Sequence, residues 1–173
     1  MKTKTHKTAL MALFSVIALV IFIVEAQIPF SFTVPGLKPG LANIVTLFML
    51  FLGANWKARD VFLVFLTRVL LAALITGQAM TLIFSLTGGV CALLIMLVVR
   101  KTLKTAAAPV VSVAGAIMHN IGQLSVAAVL TSVSVFAYTP VLIIGGIISG
   151  LLTGFAVWLL FRLHPKFINF INK

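Results

Sequence analysis

The sequence predicts an all-α, polytopic membrane protein with six transmembrane helices. Three observations carry this. Of 173 residues, 62% are hydrophobic and 9% charged, with a mean hydropathy of +1.25, whereas a soluble domain is about half apolar and about a quarter charged. A spanning helix needs about 20 apolar residues, so six spans with short loops nearly use up the chain as one integral membrane domain, residues 1–173. The basic residues then sort to one side of the membrane. This composition excludes a soluble globular protein and a disordered chain. It leaves no room for a soluble catalytic or nucleotide-binding domain.

The first apolar run covers residues 8–26. A basic start and Val24-Glu25-Ala26 give it the look of a cleavable signal peptide, but the run is longer than a usual signal core and its removal would leave an odd number of spans. An outer loop, 27–39, follows and holds three prolines. The second run is 40–54, closed by the polar stretch Asn55-Trp56-Lys57-Ala58-Arg59-Asp60. The third is 61–76, ended by the turn Gly77-Gln78. The fourth, 78–99, ends at Arg100-Lys101-Thr102-Leu103-Lys104. The fifth is 106–135, entered through Pro109, and the sixth is 140–163, before a basic tail.

Lys and Arg number 13 against 2 acidic residues, for a net charge of +11. In a soluble protein that balance would point to nucleic acid. In a membrane chain it marks cytoplasmic loops. Lys2, Lys4, Lys7, Lys57, Arg59, Arg100, Lys101, Lys104, Arg162, Lys166 and Lys173 all fall on one side of a six-span chain. Only Lys38 falls on the other, and Arg68 lies inside a span. Both termini are therefore expected in the cytoplasm, in the cell membrane, with lipid rather than nucleic acid as the partner. Cys91, in an apolar run, has no intrachain partner and reads as packing.

Polar groups inside spans are costly, so they are informative. Arg68 lies about 14 Å from the cytoplasmic end of span three at 1.5 Å per residue. It reads either as a lock between helices or as a counter-ion for an anionic ligand. In span five, Gly115, His119 and Gln123 share a face, with Asn120 beside them; this donor-rich stripe reads as a wet cavity or ligand site. One histidine without a second metal-binding side chain nearby is no metal site. Glu25, near the outer end of span one, pairs with Arg68 or Lys38 or meets a cationic ligand group. Asp60 reads as a solvated interface residue. The outer loop has a stiff Pro-Gly frame, aromatic Phe30 and Phe32, and one cation, Lys38. It reads as a cap over an outer pocket, against the plainer reading of a connecting loop. Ser85-Leu86-Thr87-Gly88-Gly89 interrupts span four, as a close helix approach or a break near the pocket. Gly146, Gly150 and Gly154 form a small stripe for helix packing, within the chain or against a partner.

The chain lacks the aspartate clusters that hold magnesium on a prenyl diphosphate. It has no acid pair for hydrolysis, no recognisable serine nucleophile and no phosphate-binding Gly-Lys-[Ser/Thr] loop. The expectation is a non-enzyme without a cofactor of its own.

At this point a resemblance emerges. Glu25-x-x-x-Pro29, Pro35-Gly36-Leu37-Lys38-Pro39-Gly40-Leu41-Ala42-Asn43-Ile44, Arg68, Ser85-x-x-Gly88-Gly89 and Ser112-x-x-Gly115-Ala116-x-x-His119-Asn120-x-Gly122-Gln123 resemble the Gx transporter family, often labelled heptaprenyl diphosphate synthase component I. That family looks related to the substrate-binding S subunits of energy-coupling-factor (ECF) vitamin transporters. The resemblance implies a six-helix S-subunit-like bundle with an outward pocket under the first outer loop. It also implies docking on a membrane T subunit and two ATPases, which would use the ATP. Span one has Thr8-x-x-x-Ala12 where S subunits often carry Ala-x-x-x-Ala. The expected function is capture of a small vitamin-like, isoprenoid- or quinone-related molecule. Lys38, Arg68 and His119 are the expected polar-head contacts. Asn43, Asn120 and Gln123 would orient the ligand, and Glu25 would hold Arg68 or Lys38. The alternative is a membrane accessory subunit of prenyl-diphosphate or quinone synthesis. A permease acting alone would be expected to show an internal repeat or more intramembrane carboxylate.

Overall fold

The computed structural model describes residues 4–27, 40–53, 55–102, 107–130, 137 and 139–172. Its elements are helices: α1 (Lys4–Gln27), α2 (Asn43–Phe51), α3 (Ala58–Thr76), α4 (Ala79–Thr102), α5 (Ala108–Leu130), α6 (Thr139–Leu163) and α7 (Pro165–Asn172). Pro109, Pro140 and Pro165 lie in the first turns of α5, α6 and α7. There the missing N–H costs no helical hydrogen bond. α3 stops at Gly77, whose φ of +65° makes a left-handed cap.

Among the described residues four helices, α1, α4, α5 and α6, are long and apolar enough to cross a membrane. α3 has 19 residues but carries Arg59, Asp60 and Arg68. The bundle's outside is apolar: Val20, Val24, Leu74, Leu94, Val129, Leu152 and Phe155 are all exposed. A soluble monomer rarely shows so much apolar surface, and lipid solvates it.

α1, α3, α4, α5 and α6 pack each on the next in that order, and α2 sits among them, touching all five. This placement explains the largest departure from the sequence reading. The run 40–54 predicts a span, yet α2 has nine residues, about 13 Å of helix against a hydrocarbon core of about 30 Å. Asn43, Val45, Thr46, Leu47, Phe48, Met49 and Leu50 are all buried. A helix apolar on every side is a core helix. The segment nonetheless runs the height of α1. Gly40 and Ala42 meet Glu25 at one end, and the Asn55 carbonyl accepts from Lys7 at the other, 2.9 Å away. Lys7 and Glu25 are about 27 Å apart along the helix.

The Lys7 end is tied to the start of α3. Lys7 Nζ lies 2.5 Å from Asp60 Oδ2 and 5.4 Å from the Trp56 ring centre. Asp60, expected as a solvated residue, is buried. Above this tie is an apolar core of Phe14, Phe48, Trp56, Met49, Met96 and Val157. Its aromatic rings meet edge-on, Phe14 with Phe48 at 5.8 Å and with Trp56 at 5.5 Å. The expected basic tail folds as α7, and Ile168 and Ile171 bury in this same core.

α6 lies against α5 through its glycines. A Cβ on Gly146 would meet Ile117, on Gly150 Val113 and on Gly154 Pro109. The partners step back four residues as the glycines step forward four, so the two helices run antiparallel in close register. α4 is unbroken through Ser85-Gly89; the glycines there serve close approach, not a break. α5 ends at Leu130, and residues 131–135 of the expected fifth span lie outside the described residues.

Candidate functional site

Near the Glu25 end the bundle interior turns polar. α1 contributes Phe22 and Glu25, the 40–42 turn Gly40 and Ala42, and α2 Asn43. α3, α4 and α5 add Arg68, Ser85, and the pair His119 and Gln123, all lining one cleft. Glu25, Asn43, Arg68, Ser85, His119 and Gln123 are each buried. The free space is about 10 Å³, room for about one water molecule. A larger occupant therefore enters only as the wall moves, and among the described lining residues the 40–42 turn is the part outside a helix.

Glu25 has a definite task. One carboxylate oxygen accepts the Gly40 N–H at 2.5 Å and the other the Ala42 N–H at 3.3 Å. These groups lead into α2, whose own N-cap, Ala42, has no side-chain acceptor. The carboxylate of α1 thus serves the positive end of α2.

Arg68 is 3% exposed. Its guanidinium carbon lies 5.6 Å from the Phe22 ring centre and 5.5 Å from that of Phe65. These are cation–π distances. Phe65 is seated by Gly89, where any Cβ would clash with the edge of its ring at Cε2 and Cζ. Glu25 and Arg68 share the cleft and interact electrostatically, but among the described residues the ion pair is Lys7–Asp60. The sequence reading leaves Glu25 to pair with Arg68 or Lys38 or to meet a cationic ligand group; its oxygens accept from the start of α2, it interacts with Arg68 through charge, and Lys38 lies outside the described residues.

His119 is bonded on both ring nitrogens: Asn43 Nδ2 lies 3.2 Å from Nδ1 and Gln123 Nε2 lies 3.0 Å from Nε2. A neutral imidazole has one N–H and one bare nitrogen, so the two amides cannot both donate to it. Two glycines make the network fit. Gly40 has φ +80°, and a Cβ there would stand 2.8 Å from His119 Cδ2. A Cβ on Gly88 would stand 2.9 Å from Gln123 Cγ and from the His119 carbonyl.

The structure brings together Glu25, Asn43, Arg68, His119 and Gln123 of the expected residues. It sends Asn120 elsewhere. Its Nδ2 donates to the Leu142 carbonyl at 2.7 Å, tying α5 to α6, because Asn120 lies one residue round the helix from His119 and faces the neighbouring helix. Lys38 and the expected cap, residues 28–39, lie outside the described residues. Four cleft residues escaped the sequence reading of the site: Phe22, Gly40, Ala42 and Ser85. Phe65, behind Arg68, escaped it too. A signal existed for both rings. Phe22 precedes Glu25 by three residues and Phe65 precedes Arg68 by three, the spacing of neighbours on a helix face.

The family model described as heptaprenyl diphosphate synthase component I matches residues 14–160, from within α1 nearly to the end of α6. Neither the curated proteins nor the solved structures gave a match. The match runs through every helix that lines the cleft, and it names the same family that the Lys38–Asn43 and His119–Gln123 elements resemble: this chain belongs to the heptaprenyl diphosphate synthase component I family.

Proposed function

We propose that this chain is the substrate-capturing membrane subunit of an ECF-type importer for a small vitamin-like, isoprenoid- or quinone-related molecule. One observation carries the reading. Five helices bring Glu25, Asn43, Arg68, Ser85, His119 and Gln123 to one buried cleft, whereas packing alone favours apolar residues there. Six crossings fit the geometry: α1 and α3 start at the same end, and 40–55 spans the height between them. With the basic loops inside, both termini are cytoplasmic and the cleft lies in the outer half. Arg68, His119 and Lys38 meet the ligand's polar head, and Asn43 and Gln123 orient it. Asn120 leaves the ligand set. The chain has no ATPase motif, so a T subunit and two ATPases supply the energy.

The test is purification of the tagged chain from native membranes in mild detergent, with mass spectrometry of what accompanies it. A T subunit with ATPases is the expected result. The family's name favours a second reading, a membrane subunit supporting prenyl-diphosphate synthesis. A soluble prenyl synthase recovered without any ATPase would establish that reading and end the transport one.

A further inference from the structure

We propose that the corner between α6 and α7 binds the headgroup of an anionic phospholipid, from the leaflet at the Lys7–Asp60 end of the bundle, with Arg162 and Lys166 as its cations. The site is separate from the polar cleft and does not depend on what the cleft holds. Three observations lead to it. The first is the level at which the corner stands. α6 has 25 residues, about 37 Å of helix against a hydrocarbon core of about 30 Å, so its end reaches the headgroup layer. Trp158 and Arg162 lie in its last two turns. Trp158 stacks on the exposed Phe155, with ring centres 5.4 Å apart, and the Arg162 guanidinium lies 5.1 Å from the Trp158 ring centre. Tryptophan gathers at headgroup level, where its ring meets lipid chains and polar groups together. A ring offers no oxygen, so the five N–H donors of Arg162 are left for another acceptor.

The second is the shape of α7. Pro165 has no N–H to give, and a helix bends at such a residue. The His164 N–H still donates to the Leu160 carbonyl at 3.0 Å, and the Ile168 N–H to that of His164 at 3.2 Å, so the backbone is tied on both sides of the bend. Ile168 and Ile171 bury in the core that holds Trp56, which lays α7 on the Lys7–Asp60 end. Lys166, Phe167 and Asn169 face outward, with Leu163 exposed just before the bend. A face that sets a cation beside an aromatic ring suits neither water nor hydrocarbon, but the layer between them.

The third is charge. Lys57, Arg59, Lys101, Arg162 and Lys166 are exposed, and the fold gathers them at one end. α4 and α6 both run antiparallel to α5, since a Cβ on Gly88 would meet His119, on Gly115 Met96 and on Gly154 Pro109. Ala108 and Met96 share the core of Trp56, so the ends of α4 and α6 meet the starts of α3 and α5. The chain has two acidic side chains, and both are buried: Asp60 is bonded to Lys7 and Glu25 lies at the far end. No side-chain carboxylate is therefore exposed to neutralise these cations. A lipid phosphate brings oxygen acceptors and negative charge to the level of Arg162, with chains that lie along Phe155 and Trp158. A zwitterionic lipid carries its own cation and gains less from this surface. An acidic protein fits less well, because Phe155 and Trp158 extend the site toward the lipid chains.

The experiment reads Trp158 itself. The chain has two tryptophans, so Trp56→Phe leaves Trp158 as the single emitter. The full chain with this substitution is placed in bilayers of phosphatidylcholine and phosphatidylglycerol. Quenching by brominated chains, carried by each lipid in turn, gives the relative binding of the two beside Trp158. The expected result is a preference for phosphatidylglycerol of at least about fivefold, lost when Arg162→Gln and Lys166→Gln are combined. In parallel, thermal unfolding of the unaltered protein in detergent is followed with phosphatidylglycerol, phosphatidylcholine and glycerol phosphate. Stabilisation by the first beyond the other two is expected, and this arm stands even if a variant misfolds. Equal effects of the two lipids in either arm overturn the proposal, and so does a preference that the double variant keeps. Stabilisation by glycerol phosphate equal to that by phosphatidylglycerol overturns it in favour of a free phosphate ester. A double variant that keeps the lipid preference and loses an accompanying protein overturns it in favour of an acidic partner.

Discussion

Glu25 accepts the backbone N–H of Gly40 at 2.5 Å, so a carboxylate on α1 caps the entrance to α2. The two residues lie at the same level of the bundle, beside His119 and Arg68. The bond joins the end of the first helix to the start of the central one, and it builds one wall of the cleft. Replacing Glu25 by Ala leaves the Gly40 and Ala42 N–H groups without their acceptor in a buried place, at a cost of about 2 kcal/mol. Glu25→Gln keeps one acceptor oxygen and costs less. Thermal unfolding of both variants in detergent checks this. An equal loss in the two would show that the charge, not the acceptor, matters.

The α5–α6 contact predicts opposite outcomes for two adjacent glycine positions on α6. A Cβ on Gly146 would lie 3.3 Å from the backbone of Ile117, while one on Gly145 would meet nothing within 4 Å. Gly146→Leu therefore forces the helices apart, with a loss of about 1–3 kcal/mol. Gly145→Leu leaves stability nearly unchanged. Gel filtration and unfolding of both proteins in the same detergent distinguish them, and equal behaviour would contradict the register.

Asp60, just before the third span, predicts an acid limb. Burial by itself would raise its carboxyl. The hydrogen bonds from Lys7 and the Lys57 N–H, with the charges of Lys7 and Arg59, outweigh this and hold it below the ordinary 3.8. A group with a lowered folded-state value stabilises the fold above its unfolded value and loses that contribution as pH falls through the folded value. Asp60→Asn should therefore cost about 0.5–1 kcal/mol at neutral pH, since Lys7 is partly in water. The gap to the unaltered protein should close below pH 3.8. A gap that persists in acid would assign the effect to packing.

Six crossings predict a labelling pattern. In a Cys91→Ala background, cysteines at the exposed positions Lys57 and Lys101 should react with an impermeant maleimide only after the cells are opened. A cysteine at the exposed Gln78 should react in intact cells. Labelling of all three from one side would show that 40–55 or α3 does not cross.

The sequence by itself determined the class of the molecule and where its polar groups stand along the chain. Apolar runs and basic loops are local properties, legible residue by residue, and so are Arg68, Glu25 and His119 as charges or polar groups inside those runs. Gly146, Gly150 and Gly154 were likewise legible as a packing stripe. What only the tertiary structure decided is which of these groups meet. Hydrophobicity runs high on every side of the membrane helices, so the period of the sequence does not say which face turns inward. That orientation comes from contacts between distant segments. It sent Asn120 to Leu142 and His119 to Asn43. It turned the oxygens of Glu25 to the start of α2 and brought Ser85 and Phe22 into the cleft. It also made the second run a short central helix, because a segment surrounded by five others need not match the thickness of the lipid.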